Sequence, residues 1–479
     1  MKKRWLIALI ATYIVVRTCI ATFSSYGYYH GWNEGYYSLI AKNYFSGSLW
    51  EQIAYPGGEP FSSAPPLFSY AVYTSFKIFG ISDISARLVS ILSELIAVLG
   101  VYILARELHN ERTASIAAII FIFIPWNILW FGRVETDPLM TALMTLAIAL
   151  YVRAYKKDES MLPFGIMLGL AVFTKQPALA ALPIVLIWSY FQGIKKKQVI
   201  NAFVCFLVGM VPLLVWLSYY FINGNTAFVS HFIYGELVYR SEPFSDLGRV
   251  VLFTAAGITP IIIAATYQMF KERDVKNILA IWLLIYGAFV LIRTPPSHEY
   301  YSLPLMAPLA IMAAAGIAGF SHKLDKKFAL IPLAVVIILA VPITYALFVY
   351  SGDLGYTATK DAGEFLKVYM DKHPDGDYLV LVQMKYSPQI AWYADLRVDG
   401  KRQIYSTGDD LSVPYLTGVL NNFDPAKTVL LVSDFEKNTG KASINYDVLY
   451  ESRYESAIAN LDILYNLGTS YGLKIVRVR

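Results

Sequence analysis

The sequence predicts a polytopic α-helical membrane protein with a smaller α/β domain at its C-terminal end. Three observations carry that reading. Of 479 residues, 56% are hydrophobic and only 16% charged, with a mean hydropathy of +0.48. Apolar runs recur along the first three quarters of the chain, several near the roughly 20 residues that a helix needs to cross a bilayer. Beyond about residue 355 the runs shorten and turn formers divide them, as in a water-facing α/β domain.

The chain opens on Met1-Lys2-Lys3-Arg4 and an apolar stretch, 5–22. No small-x-small cleavage site closes that stretch, so it is expected to stay as a first span with its basic end in the cytoplasm. A long loop follows outside, and within it Gly31-Trp32-Asn33-Glu34-Gly35-Tyr36-Tyr37 places a carboxylate among aromatics at the exit of a span. The segment 66–81 begins at Pro65-Pro66, is short and ends in Phe79-Gly80. It is expected to lie at the outer interface instead of spanning. That assignment turns five basic clusters to the cytoplasm: Arg106/Arg112, Arg153/Lys156/Lys157, Lys195-Lys196-Lys197, Lys271/Arg273/Lys276 and Lys323/Lys326/Lys327.

The expected spans are roughly 5–22, 84–106, 112–131, 137–154, 160–174, 177–193, 199–222, 249–270, 277–293, 302–320 and 328–350, about eleven in all. An odd number leaves the C-terminal part outside. Two domains are therefore expected: 1–354 in the membrane, with the outer loop 24–83, and 355–479 as an extracytoplasmic α/β domain. In the latter, 357–373 reads as an amphipathic helix with Phe365, Leu366 and Tyr369 on its apolar side. Strands are expected at 378–382, 391–398, 428–432 and 474–478.

The net charge of +5 comes from short loops between apolar runs, so it reports topology and gives no sign of a nucleic-acid partner. Cys19 and Cys205 both fall inside expected spans, which suggests neither a disulfide framework nor a cysteine metal site.

Charge at the outer ends of spans is where chemistry is expected, because ionisable groups at membrane depth are costly unless paired or functional. The candidates are Glu34 after span 1, Arg133, Glu135 and Asp137 at the next outer turn, Lys175 at a third, and Arg293, His298 and Glu299 at a fourth. Acids for proton transfer and cations for a phosphate suit an enzyme. Plainer uses exist for the same residues. Asp137 before Pro138 is a good helix N-cap, the arginines suit lipid headgroups, and the aromatic cluster suits a membrane belt as well as sugar stacking.

Motifs in order carry a resemblance. They are Trp32-Asn33-Glu34, Ala64-Pro65-Pro66-Leu67, Phe79-Gly80-Ile81-Ser82-Asp83-Ile84-Ser85-Ala86-Arg87-Leu88, Gly132-Arg133 with Asp137, Gly169–Pro177, and His298 before Tyr300-Tyr301-Ser302-Leu303-Pro304-Leu305. The chain resembles the lipid-linked-sugar glycosyltransferases of the GT-C fold, including the protein O-mannosyltransferases and the bacterial aminoarabinose transferase of lipid A. The likeness covers about 5–350 and is strongest over 30–180. Two positions depart from the family pattern: Asn33 stands where an Asp is usual, and Ala64 where a phosphate-contacting Lys is frequent.

The resemblance implies a polyprenyl-phosphate sugar as donor and a hydroxyl of a protein, glycan or lipid as acceptor, on the outer face. It implies Glu34 and Asp137 as catalytic acids, with Asn33, Tyr37, Arg133, Glu135, Lys175, Arg293, His298, Glu299 and Tyr301 contacting substrate. No cofactor is expected; an acid pair could hold a divalent ion, but no His/Asp spacing argues for one. Readings from other classes are a transporter or flippase, which would favour paired charges near mid-membrane and two related halves, and an inactive homologue marked by Asn33.

Overall fold

The structure is a computed structural model that describes residues 13–15, 17–18, 21, 25–26, 31–55, 60–61, 64–225, 228–229, 277–293, 299–321, 331–350, 358–383, 386–396, 401–407, 427–433, 446–452 and 473–478. In chain order the helices are α1 (Gly31–Asn43), α2 (Leu67–Phe79), α3 (Asp83–Leu108), α4 (Glu111–Ile122), α5 (Pro125–Trp130), α6 (Thr136–Lys157), α7 (Leu162–Thr174), α8 (Ala181–Phe191), α9 (Lys196–Gly209), α10 (Val211–Ile222), α11 (Ile278–Arg293), α12 (Met306–Ser321) and α13 (Ile331–Tyr350). Then come α14 (Ala358–Lys372), β1 (Tyr378–Gln383), α15 (Ser387–Ala394), β2 (Arg402–Thr407), β3 (Thr428–Ser433), β4 (Tyr446–Ser452) and β5 (Leu473–Val478). Two units result, both discontinuous in sequence: 1–18, 62–71 and 87–347 form one, and 19–61, 72–86 and 348–479 the other.

In the first unit, α3, α6 and the segment Tyr300–Gly319 are long and apolar enough to cross a membrane. Two expected spans are broken. The run 112–131 stops at Phe123 and restarts at Pro125, and Asn127 Nδ2 donates to the freed carbonyl of Phe121 at 2.7 Å. An unmet carbonyl at that depth would cost several kcal/mol, on the order of a lost buried hydrogen bond. The run 199–222 bends by 46° between α9 and α10. Pro212, in the first turn of α10, explains the bend, because proline cannot donate to the preceding turn.

The basic ends of α3 and α6 meet: Lys157 Nζ lies 3.1 Å from Glu107, Lys156 donates to the Glu107 carbonyl, and Arg153 pairs with Glu159. Two of the five basic clusters therefore share one end of this unit. The expected span 249–270 and most of 5–22 lie outside the described residues.

A single mixed sheet of order β2-β1-β3-β5-β4 organises the second unit. β1 runs parallel to β2 and β3, while β5 is antiparallel to β3 and β4. Tyr378 to Val382 are all buried, which is why β1 reads as an unbroken apolar run. In α14 the buried stripe is Ala358, Ala362, Leu366 and Met370; Phe365 and Tyr369 are only half-buried and stack on each other.

One expected strand is a helix. Residues 391–394 belong to α15, not to the sheet, and 397–398 lie outside the described residues. Pro388 sits in the first turn of α15, where its missing N–H costs nothing, and Asp395 ends the helix with φ 55. The segment is buried on nearly every side, so its apolar run carries no periodicity to separate helix from strand.

Candidate active site

The turn before α6 builds the first cluster. Glu135 has extended backbone (φ −144) and caps the helix, its side chain accepting from Thr136 N at 3.1 Å. Asp137 already lies inside the first turn, so it cannot take the cap that its Pro138 neighbour suggested. Its carboxylate turns elsewhere: Oδ2 accepts from Lys175 Nζ at 2.6 Å and from Thr136 Oγ1 at 3.3 Å. Oδ1 has no hydrogen-bond partner among the described residues.

Lys175 is placed by the end of α7. Its backbone is extended (φ −162) and its N–H closes on the Ala171 carbonyl at 3.0 Å, so the side chain leaves the helix sharply. The ammonium stands 4.2 Å from the Tyr301 ring centre and 4.8 Å from that of Tyr300, in the 3-10 turn Glu299–Leu305 before α12. Aromatic faces are good neighbours for a desolvated cation. Three stretches far apart in sequence thus bring Glu135, Asp137, Lys175 and Tyr301 together.

Asp137 is fully buried and Lys175 is 5% exposed. Removing both charges from water is expensive, and their short contact offsets the cost only while both partners are present. Burial opposes the lysine charge, but the attraction of Asp137, reinforced by Tyr301, Tyr300 and Glu135, outweighs it and holds the ammonium well above its usual value. The free lysine value is about 10.4. The pair's stabilisation is therefore complete below about pH 10 and is lost only as pH rises through the raised value. We expect the melting-temperature gap between wild type and Lys175→Met to be equal at pH 7 and pH 9; a gap that shrinks at pH 9 would contradict a permanently charged Lys175.

Arg133, in the same turn, is 4% exposed and stacks over Trp130 at 4.8 Å. Arg293 ends α11 and Glu299 opens the 3-10 turn, but their side chains, like all of His298, lie outside the described residues. Among the described residues no three His, Cys, Asp or Glu side chains gather as a metal site.

The remaining candidates belong to the second unit, on α1. Glu34 stands in its first turn, where the helix dipole favours a carboxylate, and is 2% exposed. Asn33 is half-buried and Tyr37 buried. The aromatics pack on one another: Trp32 stacks on Tyr36 at 4.6 Å, and Phe61 meets both Tyr36 (5.0 Å) and Tyr37 (5.9 Å).

The expected site omitted a second buried cluster in the first unit. Tyr13 Oη donates to both oxygens of Glu94 (2.8 and 2.9 Å), and Arg17 Nε lies 3.8 Å from the same carboxylate. The guanidinium covers Gly132; a Cβ there would sit 3.0 Å from Nη2. The signal was present in the sequence, since Arg17 and Glu94 are opposite charges inside two apolar runs, and such residues need each other. Tyr300 was also omitted, and only its proximity to Lys175 reveals it.

Comparison with known proteins agrees with this architecture. Residues 63–216 match the family model for dolichyl-phosphate-mannose-protein mannosyltransferase. An uncharacterised protein of Aquifex aeolicus (strain VF5) is 24% identical over 365 residues, 73% of this chain and 70% of its own. The structure of ArnT from Cupriavidus metallidurans bound to undecaprenyl phosphate superposes with a TM-score of 0.73 at 14% identity, covering 100% of this chain and 98% of that one. The Archaeoglobus fulgidus oligosaccharyltransferase AglB, in complex with an inhibitory peptide and a dolichol-phosphate, gives 0.59 at 16% identity, covering 91% and 70%. The chain has the fold of these GT-C glycosyltransferases.

Proposed function

We propose that this GT-C fold protein is a membrane glycosyltransferase that moves a sugar from a polyprenyl phosphate to an acceptor hydroxyl on the outer face of the membrane. The single observation that carries the proposal is the buried Asp137–Lys175 pair against Tyr300 and Tyr301, in a fold shared with ArnT bound to undecaprenyl phosphate and AglB in complex with a dolichol-phosphate. The eleven spans, the extracytoplasmic side of the site and the division at residue 354 are part of the same reading, supported by the Lys/Arg asymmetry of the loops.

The residues divide the work as follows. An acceptor oxygen attacks the anomeric carbon, the bond from that carbon to the phosphate oxygen breaks, and the lipid phosphate departs with the electron pair. The hydroxyl proton passes to Glu34, the general base. Lys175 meets the charge growing on the phosphate. Asp137 orients Lys175 and keeps it charged, because its own Oδ2 is already engaged. Arg133, Arg293 and His298 supply further positive charge at headgroup level. Asn33, Tyr37, Tyr301, Glu135 and Glu299 line the substrates. A base of this kind is worth roughly 10²–10⁴-fold in rate and a well-placed charge about as much.

The test uses purified protein with a panel of polyprenyl-phosphate sugars. Glu34→Gln should lower kcat by at least about 10²-fold with donor KM little changed, as loss of a proton acceptor requires. Asp137→Asn should raise donor KM as well. A fully active Glu34→Gln would pass the base role to Asp137, and full activity in both variants would end the proposal.

A further inference from the structure

We propose that α15 is the seat of the Glu34 helix, with Gly35 and Gln389 as positioning residues that fix where the carboxylate stands. The proposal rests on Glu34 acting as the base, and it gives α15 a part in the chemistry.

The approach of α1 to α15 is at backbone level. A Cβ on Gly35 would lie 2.7 Å from Pro388 C, 2.8 Å from Gln389 N and 2.9 Å from Pro388 O. Backbone cannot swing aside as a side-chain tip can. Glycine inside a helix costs roughly 1 kcal/mol relative to alanine, and here close packing explains its presence one residue after Glu34. A Cβ on Gly31, one turn earlier, would lie 3.0 Å from the backbone carbon of Tyr26 and 3.0 Å from the side-chain amide of Gln389.

Gln389 is fully buried. Its amide, oriented by its neighbours, accepts from Trp32 N at 3.0 Å and donates to Tyr386 O at 3.2 Å. Trp32 N is one of the first amides of α1, which no intrahelical carbonyl can reach. A side chain of α15 therefore caps the turn that carries Glu34.

α15 is itself held firmly. On another side a Cβ at Gly363 of α14 would lie 2.5 Å from Tyr393 Cβ. Trp392 Nε1 and Tyr393 Oη donate to the two oxygens of Asp83 at 2.6 and 2.8 Å, and Tyr26 N donates to Tyr393 Oη at 3.0 Å. Lys42, in the last turn of α1, pairs with Asp395 just past α15. Both ends of α1 are thus tied to one rigid helix, so a shift of α15 moves Glu34 with it.

The experiment measures amide hydrogen exchange and transfer kinetics on the full chain in detergent, using undecaprenyl-phosphate sugars as donors. In Gly35→Ala and in Gln389→Ala, exchange across 31–43 should accelerate by about tenfold or more, as loss of a buried cap and a close contact requires, while 136–157 stays unchanged. kcat should fall by about 10²-fold in Gly35→Ala, the scale of a 1 Å misplacement, with donor KM changed by less than about threefold. Val368→Ala, on the exposed face of α14, should change neither readout. Unchanged exchange in Gln389→Ala overturns the seat whatever the activity. Faster exchange with unchanged kcat overturns positioning. Full transfer by Glu34→Gln with faster exchange in Gln389→Ala would leave α15 as a structural support and remove its catalytic role.

Discussion

Lys175→Met should destabilise the first unit by about 3–5 kcal/mol and abolish sugar transfer. The reason is asymmetric. Asp137 is completely buried, and removing its partner leaves a carboxylate whose Oδ2 has lost its 2.6 Å contact and whose Oδ1 already had none among the described residues. Replacing both, as Asp137→Leu with Lys175→Met, removes the stranded charge and should recover most of the stability, because buried pairs are often matched by apolar residues of similar size. Transfer should not return. The double-mutant cycle therefore separates the two roles of the pair: thermal unfolding should show coupling of several kcal/mol, whereas activity should be lost in all three variants. Stability and activity recovering together would mean that the pair is only structural.

The second large effect is expected at Gly169, where helices α7 and α9 cross. A Cβ on Gly169 would lie 2.1 Å from Gly209 C, one on Gly165 would lie 2.2 Å from Cys205 C, and one on Gly209 would lie 2.1 Å from Gly165 O. Gly165-x-x-x-Gly169 is the small-residue spacing that lets helices approach through their backbones in a membrane. Gly169→Ala should cost at least the ~3 kcal/mol typical of severe overpacking, since no side chain can move away. It should also shift the end of α7, from which Lys175 projects, and so reduce transfer in whatever protein survives. Gly287→Ala is the matched control: among the described residues nothing lies within 4 Å of the added Cβ, and the helix interior should gain up to about 1 kcal/mol. Thermal unfolding of both variants in detergent checks the pair. Equal melting temperatures would contradict the close crossing.

Much of this architecture was legible in the residues, for identifiable reasons. α3 and α6 are long apolar runs with charged ends, and such runs have few alternatives to a helix in lipid. β1 and β3 are short, β-branched and bounded by turn formers. The breaks at Phe123 and Met210 were not legible as breaks, because Pro125 and Pro212 also suit a kinked single span. α15 was misassigned because a short segment buried all round shows no period, and Pro388 was the signal that outweighed it.

The candidate site was legible in its parts but not in its pairing. Asp137, Lys175 and Tyr301 stand out as polar residues at the ends of apolar runs, yet nothing in their spacing says that 137 meets 175. That contact depends on how α6 and α7 pack and on Lys175 leaving α7 with extended backbone. Asp137 was equally readable as a cap until the extended backbone of Glu135 showed where the helix begins. Glu34 stands out by its place after the first apolar run, and the tie of its helix to Gln389 through Trp32 N has no trace in local sequence.

Incubating the purified full chain with polyprenyl-phosphate sugars and following free polyprenyl phosphate tests the central claim most directly. At least one donor should release its lipid phosphate with the sugar recovered on an acceptor hydroxyl, and that release should vanish in Lys175→Met and fall by about 10²-fold in Glu34→Gln. Intact donor throughout the panel, or donor moved unaltered across a vesicle membrane, would contradict the assignment of a transferase.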